Sequence, residues 1–111
     1  MNTQQQERLA QNEAFFRNVN DNIRNVASQF ASRDDPYEFV CECADSSCTM
    51  RMTLTLSEYE AVRASPVRFV LAPGHVVPEI ETVVEQEQDH VVVEKHGAAG
   101  QVAAVLDATS S

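Results

Sequence analysis

Cys41, Cys43 and Cys48 are the three cysteines of the chain, and they fall in one short string, Cys41-Glu42-Cys43-Ala44-Asp45-Ser46-Ser47-Cys48. Three thiols cannot all pair within one chain, and soft thiolates gathered on a short acidic turn suit a divalent cation. A tetrahedral ion then needs a fourth donor. His75 is the choice, because the turn Ala72-Pro73-Gly74-His75 holds an imidazole in place with no long stem to order. His96, beside Gly97, is the substitute. His90 flanks a polar loop and is expected to face solvent, and Asp45 offers oxygen, a poor match for a thiolate set. The expectation is a structural zinc site formed by Cys41, Cys43, Cys48 and His75. It is preferred to an iron–sulfur cluster, to disulfide chemistry, and to three ordinary thiols buried as small hydrophobes.

The specificity of this spacing is intermediate, since C-x-C-x4-C is less common than a pair of CxxC motifs. A catalytic zinc keeps an open position and has a carboxylate nearby to move protons. Glu42 is the neighbour to consider, but a residue between two strand cysteines points to the opposite face, and it is expected to be a solvated carboxylate. HExxH, the zinc-deaminase signature, Gly-rich phosphate loops and a nucleophile elbow are absent from the sequence. The chain is therefore expected not to be an enzyme. The competing reading is a thiol-based redox sensor whose metal is released on oxidation.

The elements that must position these residues follow from periodicity. Leu9, Phe16, Val19, Ile23, Val26 and Phe30 recur at helical spacing, with Phe15 and Ala27 widening the stripe and Asn20, Asp21, Arg24, Asn25 and Gln29 opposite. A long amphipathic helix is predicted, stopped by Asp34-Asp35-Pro36 and packing its apolar stripe on a sheet; a seam joining two copies is the alternative. Residues 37–43 and 49–56 read as a hairpin, with Met50, Met52, Leu54 and Leu56 on one face. Ser57 and Glu60 suggest a capping box for a short helix ending at Ala64. Residues 67–71 form a third strand, and 79–84 with 90–95 a second hairpin in which Glu79, Glu81, Glu85 and Glu87 make a solvated face. The fold class is α+β: the helix on a small, mainly antiparallel sheet with a zinc-stabilised hairpin. Residues 1–12 are expected to be flexible, 13–106 to form one domain with one or two helical turns at 101–106, and 107–111 to be disordered.

The chain has 111 residues, with 17 Asp and Glu against 8 Lys and Arg and a net charge of −9. That length suits one domain with a modest core. The charge repels phosphate backbones and anionic lipid, so direct nucleic-acid or membrane binding is not expected. No basic start or apolar run suggests a secretory signal, and the reducing cytoplasm, where clustered cysteines bind metal more often than they form disulfides, is the expected compartment.

The strings Tyr37-Glu38-Phe39-Val40-Cys41-Glu42-Cys43, Leu54-Thr55-Leu56-Ser57-Glu58-Tyr59-Glu60-Ala61-Val62-Arg63 and Ala72-Pro73-Gly74-His75, with Cys48 between them, resemble a group of small bacterial proteins. The resemblance covers most of residues 15 to 96. It implies a cytosolic bacterial protein, is compatible with the zinc site, and brings no established activity. The resulting expectation is a protein-interaction or regulatory module, binding another protein or a second copy through the helix face, the acidic surface or both.

Overall fold

A computed structural model describes residues 1–30 and 32–110, the last two of these without their side chains. Helix α1 spans Thr3–Ala27. Asn2 caps it: its side chain accepts from the Gln5 amide at 2.8 Å while Gln5 Oε1 accepts from the Asn2 amide at 3.0 Å. This reciprocal cap satisfies two otherwise orphaned donors, so the Gln-rich segment expected to be flexible is helical from Thr3.

The face that α1 buries is not the predicted one. Its buried residues are Ala10, Glu13, Ala14, Arg17, Asn20 and Ala27, whereas Phe15 is 64% and Val26 59% exposed, and Phe30 just beyond the helix is 82% exposed. Leu9, Phe16, Val19 and Ile23 lie partly buried along the rim. The apolar stripe is thus turned about a third of a turn from the core, at about 100° per residue. Two interactions pull the helix round. Ala10 and Ala14 are small enough to admit helix α3 (Gly97–Ser110) with its buried Ala99 and Ala103. Arg17 donates to the carbonyls of Pro66 at 2.6 Å and Ala103 at 3.1 Å, its guanidinium lying 4.4 Å from the centre of the Phe69 ring.

Helix α3 is longer than the one or two turns expected, and it includes most of the tail expected to be disordered; Ser111 lies outside the described residues. Asp107 anchors that tail by accepting from Arg63 Nη2 at 2.6 Å, a long-range partner that local patterning cannot reveal.

Two antiparallel sheets face α1. One pairs β1 (Pro36–Val40) with β2 (Arg51–Thr55), Phe39 opposite Met52. The other has the order β3 (Arg68–Leu71), β5 (Val91–Lys95), β4 (Glu81–Gln86). The helix joining the sheets, α2 (Leu56–Arg63), is capped by Thr55 with Glu58 rather than by Ser57 with Glu60, because β2 runs straight into it and its last residue becomes the cap. Met52, Leu54 and Leu56 are buried, while Met50 is half exposed beyond the start of β2. Phe39 and Tyr59 stack at 4.5 Å in the core they share with Phe69 and Leu71.

Glu81 is also placed differently from the solvated face expected for it. It is buried with Glu13 and Lys95, and the Lys95 ammonium contacts Glu13 and lies 2.9 Å from Glu81 Oε1. Two carboxylates on one cation away from water cannot both ionise readily. Burial, reinforced by the Glu81 charge and opposed by Lys95, pushes the Glu13 carboxyl up to about 9. Since an unfolded Glu titrates near 4.3, the folded chain holds one extra proton between these values. The stability that proton confers is complete below about pH 4.3 and is lost as pH rises through about 9. Glu13→Gln should therefore match the wild type near pH 5 and gain on it with rising pH, by at most about 1.4 kcal/mol per pH unit. Urea unfolding at pH 5, 7 and 9 measures this, and a difference that does not change with pH contradicts the shared proton.

Candidate metal centre

Three short stretches of backbone build the site. The Cys41 amide donates to Met50 O at 3.0 Å, extending the first hairpin, and the next amide, of Glu42, donates to Val70 O at 2.8 Å in the other sheet. The chain therefore crosses from one sheet to the other between the first two cysteines, and period-two geometry sends Cys41 and Cys43 one way and Glu42 the other. The turn that follows is fixed by Asp45, whose Oδ1 accepts from the Ser47 amide at 2.9 Å and hydroxyl at 2.7 Å. Its carbonyl accepts from the Cys48 amide at 3.0 Å, returning the third thiol. After β3, the His75 amide closes on Ala72 O at 3.2 Å, with Gly74 at a φ of 86°. Pro followed by a left-handed Gly is the sequence a type II turn requires.

These elements bring one donor atom each from Cys41, Cys43, Cys48 and His75 within 4.8 Å of one another. His75 Nδ1 lies 3.5 Å from Cys41 Sγ and 3.6 Å from Cys48 Sγ. A tetrahedral zinc with Zn–S of about 2.3 Å and Zn–N of about 2.05 Å separates sulfur from nitrogen by about 3.5 Å. The spacing of Nδ1 from Cys41 and Cys48 is therefore that of a tetrahedral ion, and Cys43 lies in the same group of donors. The Ala72 amide also donates to Cys41 Sγ at 3.1 Å, which orients that sulfur and stabilises charge on it.

Three thiols this close interact strongly. The hydrogen bond from Cys41 lowers Cys43 to about 5, while that same bond and burial push Cys41 up, and burial pushes Cys48 up. A divalent cation among the sulfurs would favour the ionised form of all three. Cys41 and Cys43 are buried; Cys48 and His75 are partly exposed.

The other candidates lie elsewhere. His96 is exposed and outside the cluster. His90, expected to face solvent, is buried, with Nδ1 2.8 Å from Asp89 Oδ1, because it immediately precedes the central strand β5. The Asp45 carboxylate is engaged by Ser47, which holds its pKa below the usual range.

Glu42 does point away from the sulfurs, but into the protein rather than into water. It is fully buried, because the reverse side of the crossing strand is covered by α1 and α2. Oε2 accepts from Asn20 Nδ2 and Tyr59 OH, both at 2.8 Å, and Oε1 accepts from the Val70 amide at 3.0 Å. Burial raises its pKa, against the pull of these three donors and Arg17. Sequence reasoning does not reach Asn20, Tyr59 and Val70 as supports of the site. The available signal is the polar series Glu13, Arg17, Asn20 at helical spacing, which marks a face with buried partners as well as it marks a wet one.

Comparison with protein-family models, curated proteins and solved structures gave no match to this chain. Among the described residues, no helix is long and apolar enough to cross a membrane.

Glu42→Gln is expected to destabilise the fold by about 1–3 kcal/mol. Whichever way the new amide turns, its NH2 meets a donor, either the Val70 amide or Asn20 Nδ2. Asn20 cannot flip to compensate, since Nδ2 also donates to Val40 O and Oδ1 accepts from the Val40 amide, each at 2.8 Å. Chemical denaturation checks the prediction, and an unchanged midpoint contradicts it.

Proposed function

We propose that this chain is a small, non-catalytic, zinc-binding protein of the bacterial cytoplasm, a protein-interaction or regulatory module whose fold is fixed by zinc on Cys41, Cys43, Cys48 and Nδ1 of His75. The observation that carries the reading is the convergence of three sulfurs and one imidazole nitrogen within 4.8 Å, with His75 Nδ1 at 3.5 and 3.6 Å from two of the sulfurs. Thiolates with an imidazole suit zinc, whereas iron–sulfur clusters are commonly held by four Cys. Four protein donors fill a tetrahedron and leave no position for substrate, and neither neighbouring carboxylate is available for proton transfer: Glu42 is held by Asn20, Tyr59 and Val70, and Asp45 by Ser47. The role left is structural. Zinc joins the 41–48 turn to the turn at residues 72–75, and in small zinc modules such binding supplies folding free energy on the order of 10 kcal/mol. The partner is another protein, met through the outward face of α1; the net charge of −9 argues against nucleic acid.

Elemental mass spectrometry of protein purified without a metal-binding tag should find about one zinc per chain. His75→Ala should lose it, His96→Ala should keep it, and Cys43→Ser should lose both zinc and thermal stability. Metal-free wild type, or zinc retained by His75→Ala, overturns the reading.

A second reading, a thiol-based redox sensor, is favoured by the partial exposure of Cys48 and by an open hollow that reaches Cys43 and His75 between Leu9 and Val77. Hydrogen peroxide would oxidise one thiolate to a sulfenic acid with release of hydroxide; a second thiolate would then displace hydroxide from that sulfur to form a disulfide, and the zinc, stripped of two ligands, would leave. Equimolar peroxide should then release zinc within minutes and reduce the titratable thiols to one per chain. Zinc held through that treatment favours the purely structural role.

A further inference from the structure

We infer that the outward face of α1 is a self-association surface whose partner is a second copy of this chain, the two helices packing antiparallel about a two-fold axis. This names the partner for the α1 face proposed above and rests on that reading. The first observation is an apolar groove along the C-terminal half of α1, at the edge of the core. Val19, Ile23, Val26, Ala27, Phe30 and Tyr37 line an open groove, and Phe15, Val26 and Phe30 are more than half exposed.

The second is charge. The chain carries 17 acidic residues and a net charge of −9, yet no exposed position of α1 is Asp or Glu. Of its acidic residues Glu13 is buried, Glu7 and Asp21 are half-buried, and Asp21 is bonded to Arg63 at 2.8 Å. On the rest of an acidic surface two copies would set like charges against each other. The exposed residues of α1 set no such charges against a second copy. A basic partner, by contrast, would find no carboxylate among the exposed residues of the helix to steer it there.

The third is the kind of polar group the face carries. Gln11, Asn18, Asn22 and Asn25 are its exposed polar residues in the stretch that flanks the apolar stripe. Amides both donate and accept, so a row of them is self-complementary under the two-fold symmetry that an isologous interface imposes. A 25-residue helix is about 37 Å long, which makes a small interface, so the dimer is expected to be weak, with a Kd of about micromolar.

Light scattering behind size exclusion, with native mass spectrometry, tests this on the full chain. Wild type should reach twice the 12.3 kDa protomer mass at about 100 µM and dissociate on dilution. Phe15→Glu and Val26→Glu should be monomeric with unchanged circular dichroism, while Val83→Glu, which adds the same charge on β4, should remain dimeric. The milder Phe15→Ser and Val26→Ser should each raise Kd about tenfold, which covers the case in which a glutamate disturbs folding. A monomeric wild type at about 100 µM, or dimers that survive Phe15→Glu and Val26→Glu, overturns the inference. Zinc content measured on the same samples separates the two proposals: a dimer without zinc refutes the metal site alone, and a zinc-bound monomer refutes the self-association alone.

Discussion

The placing of the sulfurs of Cys41 and Cys43 depends on one buried acidic side chain, that of Glu42. The chain leaves the first sheet at Cys41 and joins the second at Glu42, and such a crossing leaves backbone groups on both edges without strand partners. Two side chains act as strand residues there. Glu42 takes the Val70 amide on Oε1 while its own amide serves the Val70 carbonyl, and Asn20 both donates to and accepts from Val40. The two are joined by the bond from Asn20 to Glu42, and Tyr59 completes the carboxylate's shell. A buried charge without these donors would be strongly destabilising; with them it fixes the crossing in one geometry. Cys41 and Cys43 flank Glu42 directly, so the precision of the crossing passes to the sulfurs.

That constraint explains the orientation of α1. The helix must deliver Asn20 to Val40 and Glu42, Arg17 to the carbonyls of Pro66 and Ala103, and Glu13 to Lys95. Guanidinium and ammonium both lie against the Phe69 ring, at 4.4 and 4.8 Å, which lets cations share an interior with aromatic surface. With these groups facing inward, Phe15 and Val26, on the other side of α1, are turned outward. The exposed apolar stripe is the geometric complement of a polar stripe that the site requires.

How far the sequence disclosed this follows from what kind of signal each part carries. The thiol cluster, the Pro-Gly-His turn and the strand alternation around Met52 and Leu54 are local, and their pattern points directly to the grouping observed. The rotation of α1, the burial of Glu42, Glu81 and His90, and the length of α3 are not local. A hydrophobic stripe indicates the buried side only when apolar transfer dominates the packing of the helix; here hydrogen bonds to Val40, Pro66 and Ala103 outweigh it. A carboxylate has the same identity wet or buried, and only its distant partners, 22 residues away at Asn20 and 28 at Val70, decide which. The tail is of the same kind, since Asp107 finds Arg63 44 residues away.

The four donors are not held equally, and this determines how the site behaves as a unit. Cys41 and Cys43 are buried and belong to the crossing strand, which hydrogen bonds to Met50 and Val70 secure independently of any ion. His75 sits on a turn that its Pro-Gly sequence favours before the fold is complete. Cys48 is different: it is more exposed, and its turn rests on bonds within residues 45–48. Two donors are therefore preorganised by the fold, and the other two, His75 and Cys48, by the chemistry of their local turns. An ion held by such a set would tie the 45–48 turn and the turn at residues 72–75 to the crossing strand, and Cys48, supported only by bonds within its own turn, is the donor it would hold least firmly.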